Sequence, residues 1–333
     1  GVGQGYYYET SGSGTFNLQD LDGNQIVKGS AGSVGQGGNE NLDEQLGYRS
    51  LNIRKSLNRY KKSKNFIDKQ KGWGETYASF SKRNEHKKNL ALGFKQYTLA
   101  ANMIFPSENN NFLINFETSK QEFQKNHDIK RFGFISGLHF NYKENNNKFI
   151  NDSFILAGVN LNDSNRKILT NTTTSGTLGI NDNYVTYEIH AGKKFNNDGI
   201  IPDIGTTLSY SFTPSHSESE YYSWEKKHVA NLSAYLSDEY SIERKKDNTS
   251  IGVGWILDYR TLISDSKQEY SVNGTEATYY QDDELTREIT ISANFNYEKN
   301  FDNLGKVLVT FNATHSTQNL NSIDANISYV LEL

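Results

Sequence analysis

No cysteine occurs in the sequence, so neither a disulfide framework nor a thiolate metal site can be built from it. No run of about 18 apolar residues occurs either, which excludes a membrane-spanning helix. Hydrophobic residues make up only 35 % of the 333, and mean hydropathy is −0.73, which is poor for a large soluble core. A charged leader followed by an apolar stretch is also missing: Gly1 opens a Gly-rich segment, and if the protein is exported its leader is expected upstream of this sequence. The net charge of −4 comes without a basic face interleaved with stacking aromatics, and nucleic acid is not an expected partner.

Aromatic residues are abundant, with 21 Tyr and 18 Phe, too many for a disordered chain. Many aromatics, few aliphatics, 27 Gly and three Pro suit a β protein whose apolar residues face outward in a band around a polar interior. The local pattern agrees. Ile289, Ile291, Ala293, Phe295 and Tyr297 alternate with Thr290, Ser292, Asn294 and Asn296. The same period of two places Val307, Val309, Phe311 and Ala313 on one face, then Ile323, Ala325, Ile327, Tyr329, Leu331 and Leu333. Ile251, Val253, Trp255, Leu257 and Tyr259 repeat it, as do the stretches around 204–212 and 185–191.

Twelve such segments are expected, at roughly 73–83, 89–105, 111–121, 130–143, 150–162, 183–196, 201–214, 226–242, 249–262, 286–299, 304–315 and 322–333. In 89–105 the parity changes near Gln96, which implies either a bulge or a run assigned too long. The connections sort by turn: PSENN, KENNNK, FNNDGI, KKDN and NFDN are short, while those after 162, 214 and 262 are long and polar. Short turns on one rim and long loops on the other predict an all-β fold, a 12-stranded antiparallel transmembrane β-barrel.

One stretch departs from this pattern. Asn41–Lys71 carries nine Lys or Arg against three Asp or Glu. Leu42, Leu46, Ile53, Leu57, Tyr60 and Ile67 recur at three, four and seven, which is one face of a helix. A barrel of twelve strands is too wide to fill with side chains alone and about wide enough for one helix. The basic stretch is therefore expected as one α-helix in the lumen, with Arg49, Arg54, Lys55, Arg59 and Lys62 contacting the wall. Inward-parity acids available to meet them are Glu117, Glu188, Asp258, Glu288, Glu298, Asp324 and Glu332.

No catalytic residue, cofactor or metal is expected. The histidines are scattered and no G-x-S-x-G occurs; His139 and His190 fall on lumen parities as interior hydrogen-bonding groups. Asp20, Asp22 and Asn24 lack the glutamate that would complete a calcium loop.

The order of a Gly-rich segment, a lumen-sized helix, twelve alternating strands and an apolar last strand resembles the autotransporter translocator domain of type V secretion. The most specific stretches are YVTYEIHAGKKFNNDGIIPDIGTTLSYSF, with a short turn holding Pro202, and SIGVGWILDY, with its Gly252-x-Gly254 strand. Leu333 departs from the Phe that ends many barrels of this membrane. The resemblance implies that residues 1–40 are the C-terminal, β-solenoid-like stub of a passenger, 41–71 the linker helix, and 72–333 the outer-membrane barrel. It implies a monomer that contacts outer-membrane lipid, its own passenger and the assembly machinery. Long loops and residues 1–40 would be extracellular and the C-terminus periplasmic. In some relatives the linker is cut at an Asn; Asn52, Asn58 and Asn65 are available, and nothing local selects one. A diffusion channel, a surface-loop adhesin and an outer-membrane hydrolase are the alternatives.

Overall fold

A computed structural model describes residues 6–10, 16–20, 25–27, 49, 51–60, 72–84, 93–107, 110–123, 127–143, 149–169, 177–197, 202–217, 222–265, 267–272, 275–280, 286–301 and 304–330. Twelve strands close into one antiparallel barrel. In chain order they are β1 (Trp73–Arg83), β2 (Phe94–Pro106), β3 (Asn110–Phe123), β4 (His127–Lys143), β5 (Phe149–Leu169) and β6 (Thr177–Asn197). They continue with β7 (Asp203–Thr213), β8 (Lys227–Arg244), β9 (Thr249–Leu262), β10 (Arg287–Asn300), β11 (Lys306–Ser316) and β12 (Leu320–Val330). Each pairs with its sequence neighbours, and β12 closes on β1 through Val330↔Trp73 to Leu320↔Arg83.

The register fixes the width. From Ala230 on β8, the paired residues run through Tyr210, Ile189, Ala157, Ser136, Ile114, Met103, Gly74, Tyr329, Val307, Lys299 and Thr249. The path returns to β8 at Arg244, so one circuit slips 14 residues along the strand. Twelve strands with that slip tilt by about 40° and leave a backbone radius of about 12 Å. An α-helix with side chains is about 10–12 Å across. One helix and two layers of wall side chains fill such a cylinder.

The period of two sorts the side chains. Leu99, Phe132, Leu161, Leu257, Ile291 and Ile327 point out and are exposed, whereas their neighbours Thr98, Arg131, Asn160, Asp258, Thr290 and Asn326 are buried inside. A soluble protein would bury the apolar set; here the polar set is inside and hydrocarbon covers the other face. Every backbone group in a closed barrel has a ladder partner, which hydrocarbon requires. Among the described residues no helix is long and apolar enough to cross a membrane; strands make the crossing.

Two details differ from the expectation. Strand β2 begins at Phe94 and pairs regularly with β1 and β3 through Pro106, with no bulge. Phe94 faces inward and packs against Phe123 at 5.6 Å between centroids, so the parity change marks the strand's start rather than a kink within it. The second difference is at the long-loop rim. Strands β5 and β6 stay paired out to Leu169↔Thr177, well into a stretch expected as loop. The long connections around 213–227 and 262–287 contribute a four-stranded sheet of His216–Ser217, Tyr222–Trp224, Lys267–Val272 and Thr275–Tyr280. Beyond the lipid both faces of a hairpin meet water, so hydropathy no longer alternates and the ladder cannot be read from it.

Tyr6–Thr10, Phe16–Asp20 and Gln25–Val27 form a separate three-stranded sheet. Its pairing is antiparallel, and the rest of 1–40 lies outside the described residues. Residues 331–333 lie outside the described residues, Leu331, Glu332 and Leu333 with them.

The outward set gives a direct check. Leu99→Arg at mid-strand should cost about 2–4 kcal/mol in urea unfolding from lipid vesicles. On a water-facing surface the same change would fall within about 0.5 kcal/mol.

Candidate functional site: a basic helix in the lumen

Residues 51–60 form a helix, α1, and Arg49 is helical as well. Its side chains reach nine of the twelve strands: Glu75 on β1, Asn102 on β2, Asn111 on β3, Asn160 on β5, Glu188 on β6, Ser233 on β8, Asp258 on β9, Thr314 on β11 and Asp324 on β12. A rod touched from that many sides lies inside the cylinder. Its C-terminal end is near the short-turn rim, where Tyr60 packs edge-on against Trp73 at 5.8 Å and donates its hydroxyl to Asn111 at 2.8 Å. The N-terminal end lies near mid-barrel, where Arg49 meets the centres of β5 and β6.

Four cations of the helix each meet a wall carboxylate. Arg49 is 2.9 Å from Glu188, and also donates to Asn160 at 2.8 Å and Asn115 at 3.2 Å. Arg54 is 3.0 Å from Asp258, and Lys55 is 3.0 Å from Asp324. Arg59 holds Glu75 with a two-pronged bond of 2.7 Å and 2.8 Å. Side chains on both members of each pair are less than a tenth exposed. A bidentate guanidinium–carboxylate contact is among the stronger charge-assisted arrangements.

Neutral groups complete the ring. Glu75 also accepts from Asn102 at 2.7 Å and from Ser328 at 2.9 Å, Asn102 donates to Ser56 at 2.9 Å, and Asn115 donates to Asn102 at 2.5 Å. Glycine makes room at two points. A Cβ on Gly133 would lie 2.6 Å from the Arg49 guanidinium, and one on Gly205 would lie 2.2 Å from the Tyr235 ring. Tyr235 lies over Gly205 and carries the Arg54 guanidinium on its face, 4.2 Å from its centroid.

The expected site residues divide. Arg49, Arg54, Lys55 and Arg59 are placed against the wall as described; Lys62 lies outside the described residues, with Leu42, Leu46, Asn65 and Ile67. Of the expected wall acids, Glu188, Asp258 and Asp324 face helix cations. Glu288 instead pairs with Arg260 at 2.5 Å, Glu298 with Lys306, and Glu117 with Arg131 at 2.7 Å, so these acids are met by the wall itself. Glu75, which takes the bidentate contact, was not among the expected residues. Its signal was available: it sits inward on β1, two residues past Trp73.

The lumen is also not uniformly polar. Ile53, Leu57 and Tyr60 pack into an inward apolar cluster with Trp73, Ile104, Leu113, Ile135, Phe154, Leu156 and Val330. Leu51 packs with Tyr235 and Ile256. The unbroken apolar runs at 103–105, 112–114, 134–135 and 155–156 carry the sequence mark of a strand that is apolar on both faces.

His190 brings together three groups that nucleophilic catalysis would use, since it lies 3.2 Å from the Ser209 hydroxyl and 2.8 Å from Glu188. All three are buried, and Glu188 is engaged by Arg49. His139 lies 3.2 Å from Asn111 and 3.9 Å from Asp152. Asn52 is buried; Asn58 is half-buried and accepts from Lys194 at 3.1 Å.

No protein-family model and no curated protein matches the chain. Solved structures do. The translocator domain of the autotransporter NalP from Neisseria meningitidis aligns over 87 % of this chain and 98 % of its own, with TM-score 0.53 and 10 % identity. The chain shares the autotransporter translocator fold. The transport unit of the autotransporter AIDA-I from Escherichia coli aligns over 86 % and 98 %, at TM-score 0.48 and 10 % identity. The COG4313 outer membrane channel from Pseudomonas putida aligns over 80 % and 97 %, at TM-score 0.45 and 13 % identity.

Within this fold the Arg59–Glu75 pair offers a test of the buried charges. Glu75→Leu alone leaves a guanidinium stranded and should cost about 3–5 kcal/mol in urea unfolding of the barrel. Arg59→Met combined with Glu75→Leu should recover most of that loss. A double-variant cost equal to the sum of the costs of Glu75→Leu and Arg59→Met made singly would mean that the two groups do not interact.

Proposed function

We propose that the chain is an outer-membrane translocator and anchor, which carries an N-terminal passenger to the cell surface and ends secretion with its linker helix in the pore. The observation that carries this reading is the basic helix inside the barrel, immediately upstream in sequence of β1. A chain that had followed its passenger outward through the lumen would leave its last segment there, running from the long-loop side toward the short-turn rim. α1 has that direction: Arg49 is at mid-barrel and Tyr60 beside Trp73 at the short-turn rim.

The same geometry supports the orientation of this reading. All five short turns share a rim with both ends of the barrel, which is the periplasmic arrangement in barrels of this membrane. Residues 1–40 then emerge on the long-loop, extracellular side as the end of the passenger. The passenger, outer-membrane lipid and the assembly machinery are the partners of this reading, and the chain acts as a monomer without enzymatic activity. A diffusion channel would keep an open lumen, whereas here buried ion pairs and an apolar cluster occupy it.

Planar-bilayer recording tests the plug. The intact chain should show low or flickering conductance, and deletion of 41–71 should raise it several-fold. A large steady conductance that the deletion leaves unchanged would favour a channel. Display tests the carrier role: a reporter fused ahead of residue 1 should become protease-accessible on intact cells, and a reporter that stays inside would contradict it.

A further inference from the structure

The outer face of β1–β4 carries a feature that neither the plug nor the anchor uses. On each strand, toward the long-loop rim, a lysine follows the aromatic residues that face lipid: Lys82 after Phe80, Lys95 beside Tyr97, Lys120 after Phe116 and Lys130 beside Phe132. Three of the four stand two residues from the ring, one outward step of about 7 Å along the strand. The register makes them a row: Lys82 is directly opposite Lys95, and Lys120 directly opposite Lys130. The row spans three strand spacings, about 14 Å.

Like charges directly opposite on one face of a sheet repel. Acids relieve only part of this row. Glu122 faces Lys95 but closes on Lys120 at 2.6 Å. Asp163 stands opposite Lys130, and Asp128 lies one outward step beyond it on β4. Lys82 and Lys95 are exposed and have no ion pair among the described residues. Beneath them the Phe80 and Tyr97 rings pack at 5.3 Å, which fixes the height at which their stems leave the apolar band.

We propose that Lys82 and Lys95, flanked by Lys120 and Lys130, form a site for phosphate-bearing lipid headgroups at the long-loop rim. The acyl chains lie along the aromatic band, and an anionic phosphate bridges two ammonium groups that stand directly opposite each other. A lipid supplies both parts of this arrangement, apolar chains below and an anion above, which free phosphate does not. The inference rests on the membrane-spanning reading of the barrel.

The test uses the full chain folded in maltoside micelles containing phosphatidic acid, with the bound lipid counted by phosphorus assay after affinity purification. Lys82→Gln with Lys95→Gln should lower the retained phosphatidic acid by about tenfold. Lys193→Gln, which removes a lysine lying over Phe195 near the opposite rim, should retain as much as the unaltered chain. Millimolar inorganic phosphate should not displace the lipid; displacement would mean a phosphate site with no lipid specificity and would overturn the proposal. Heat-modifiable mobility reports folding for each variant. Folded variants that retain lipid equally overturn this site alone, whereas an unaltered chain that fails to insert into vesicles overturns the membrane reading with it.

Discussion

A buried charge must find its opposite, and in this protein the opposites are on separate pieces of chain. The four cations of α1 each meet a carboxylate that is nearly as buried as they are, on β6, β9, β12 and β1. Losing either partner would strand a charge in a space with little room for water, at a cost of several kcal/mol. The helix needs this support, because a segment of ten or so residues is marginal as an isolated helix in water. Its charges set where it sits and how it is turned about its axis, and the packing of Ile53, Leu57 and Tyr60 adds the area that electrostatics alone would not supply.

The barrel supplies the complementary half. Twelve strands with a slip of 14 residues produce a cylinder that one helix nearly fills, so every cation is within reach of a wall. The wall is prepared unevenly. One sector carries the inward apolar cluster and receives the helix's apolar face, while other sectors carry the acids. Gly133 and Gly205 are flat points in the wall: the first admits the Arg49 guanidinium and the second lets Tyr235 lie down beneath Arg54. Glu117, Glu288 and Glu298 are held by wall cations and remain paired whether or not the helix is present.

Much of this was legible in the chain because its two periods differ so plainly. Alternation at two located the barrel strands, with β1 and β9 matching to the residue, and spacing at three and four located the helix. The face of each strand followed from one fact, that Ile289, Ile291 and Phe295 share a parity with Ala293 and not with Asn294. Less was legible where a residue's environment depends on a distant strand. Glu288 and Glu75 have the same inward parity and similar charge, yet one meets a wall arginine and the other the helix; only the register between strands separates them. The inward leucines and isoleucines were present as apolar runs but looked like interruptions of the alternation. Hairpins beyond the lipid left no hydropathic trace at all.

The location of α1 is the claim on which the rest depends, and hydrogen–deuterium exchange on the folded barrel in detergent reads it directly. Amides of residues 51–60 should exchange as slowly as those of β1 and β12, because a helix enclosed by the wall can open only when the barrel does. Exchange of those amides within seconds, while the strands remain protected, would place the helix in solvent and contradict the account.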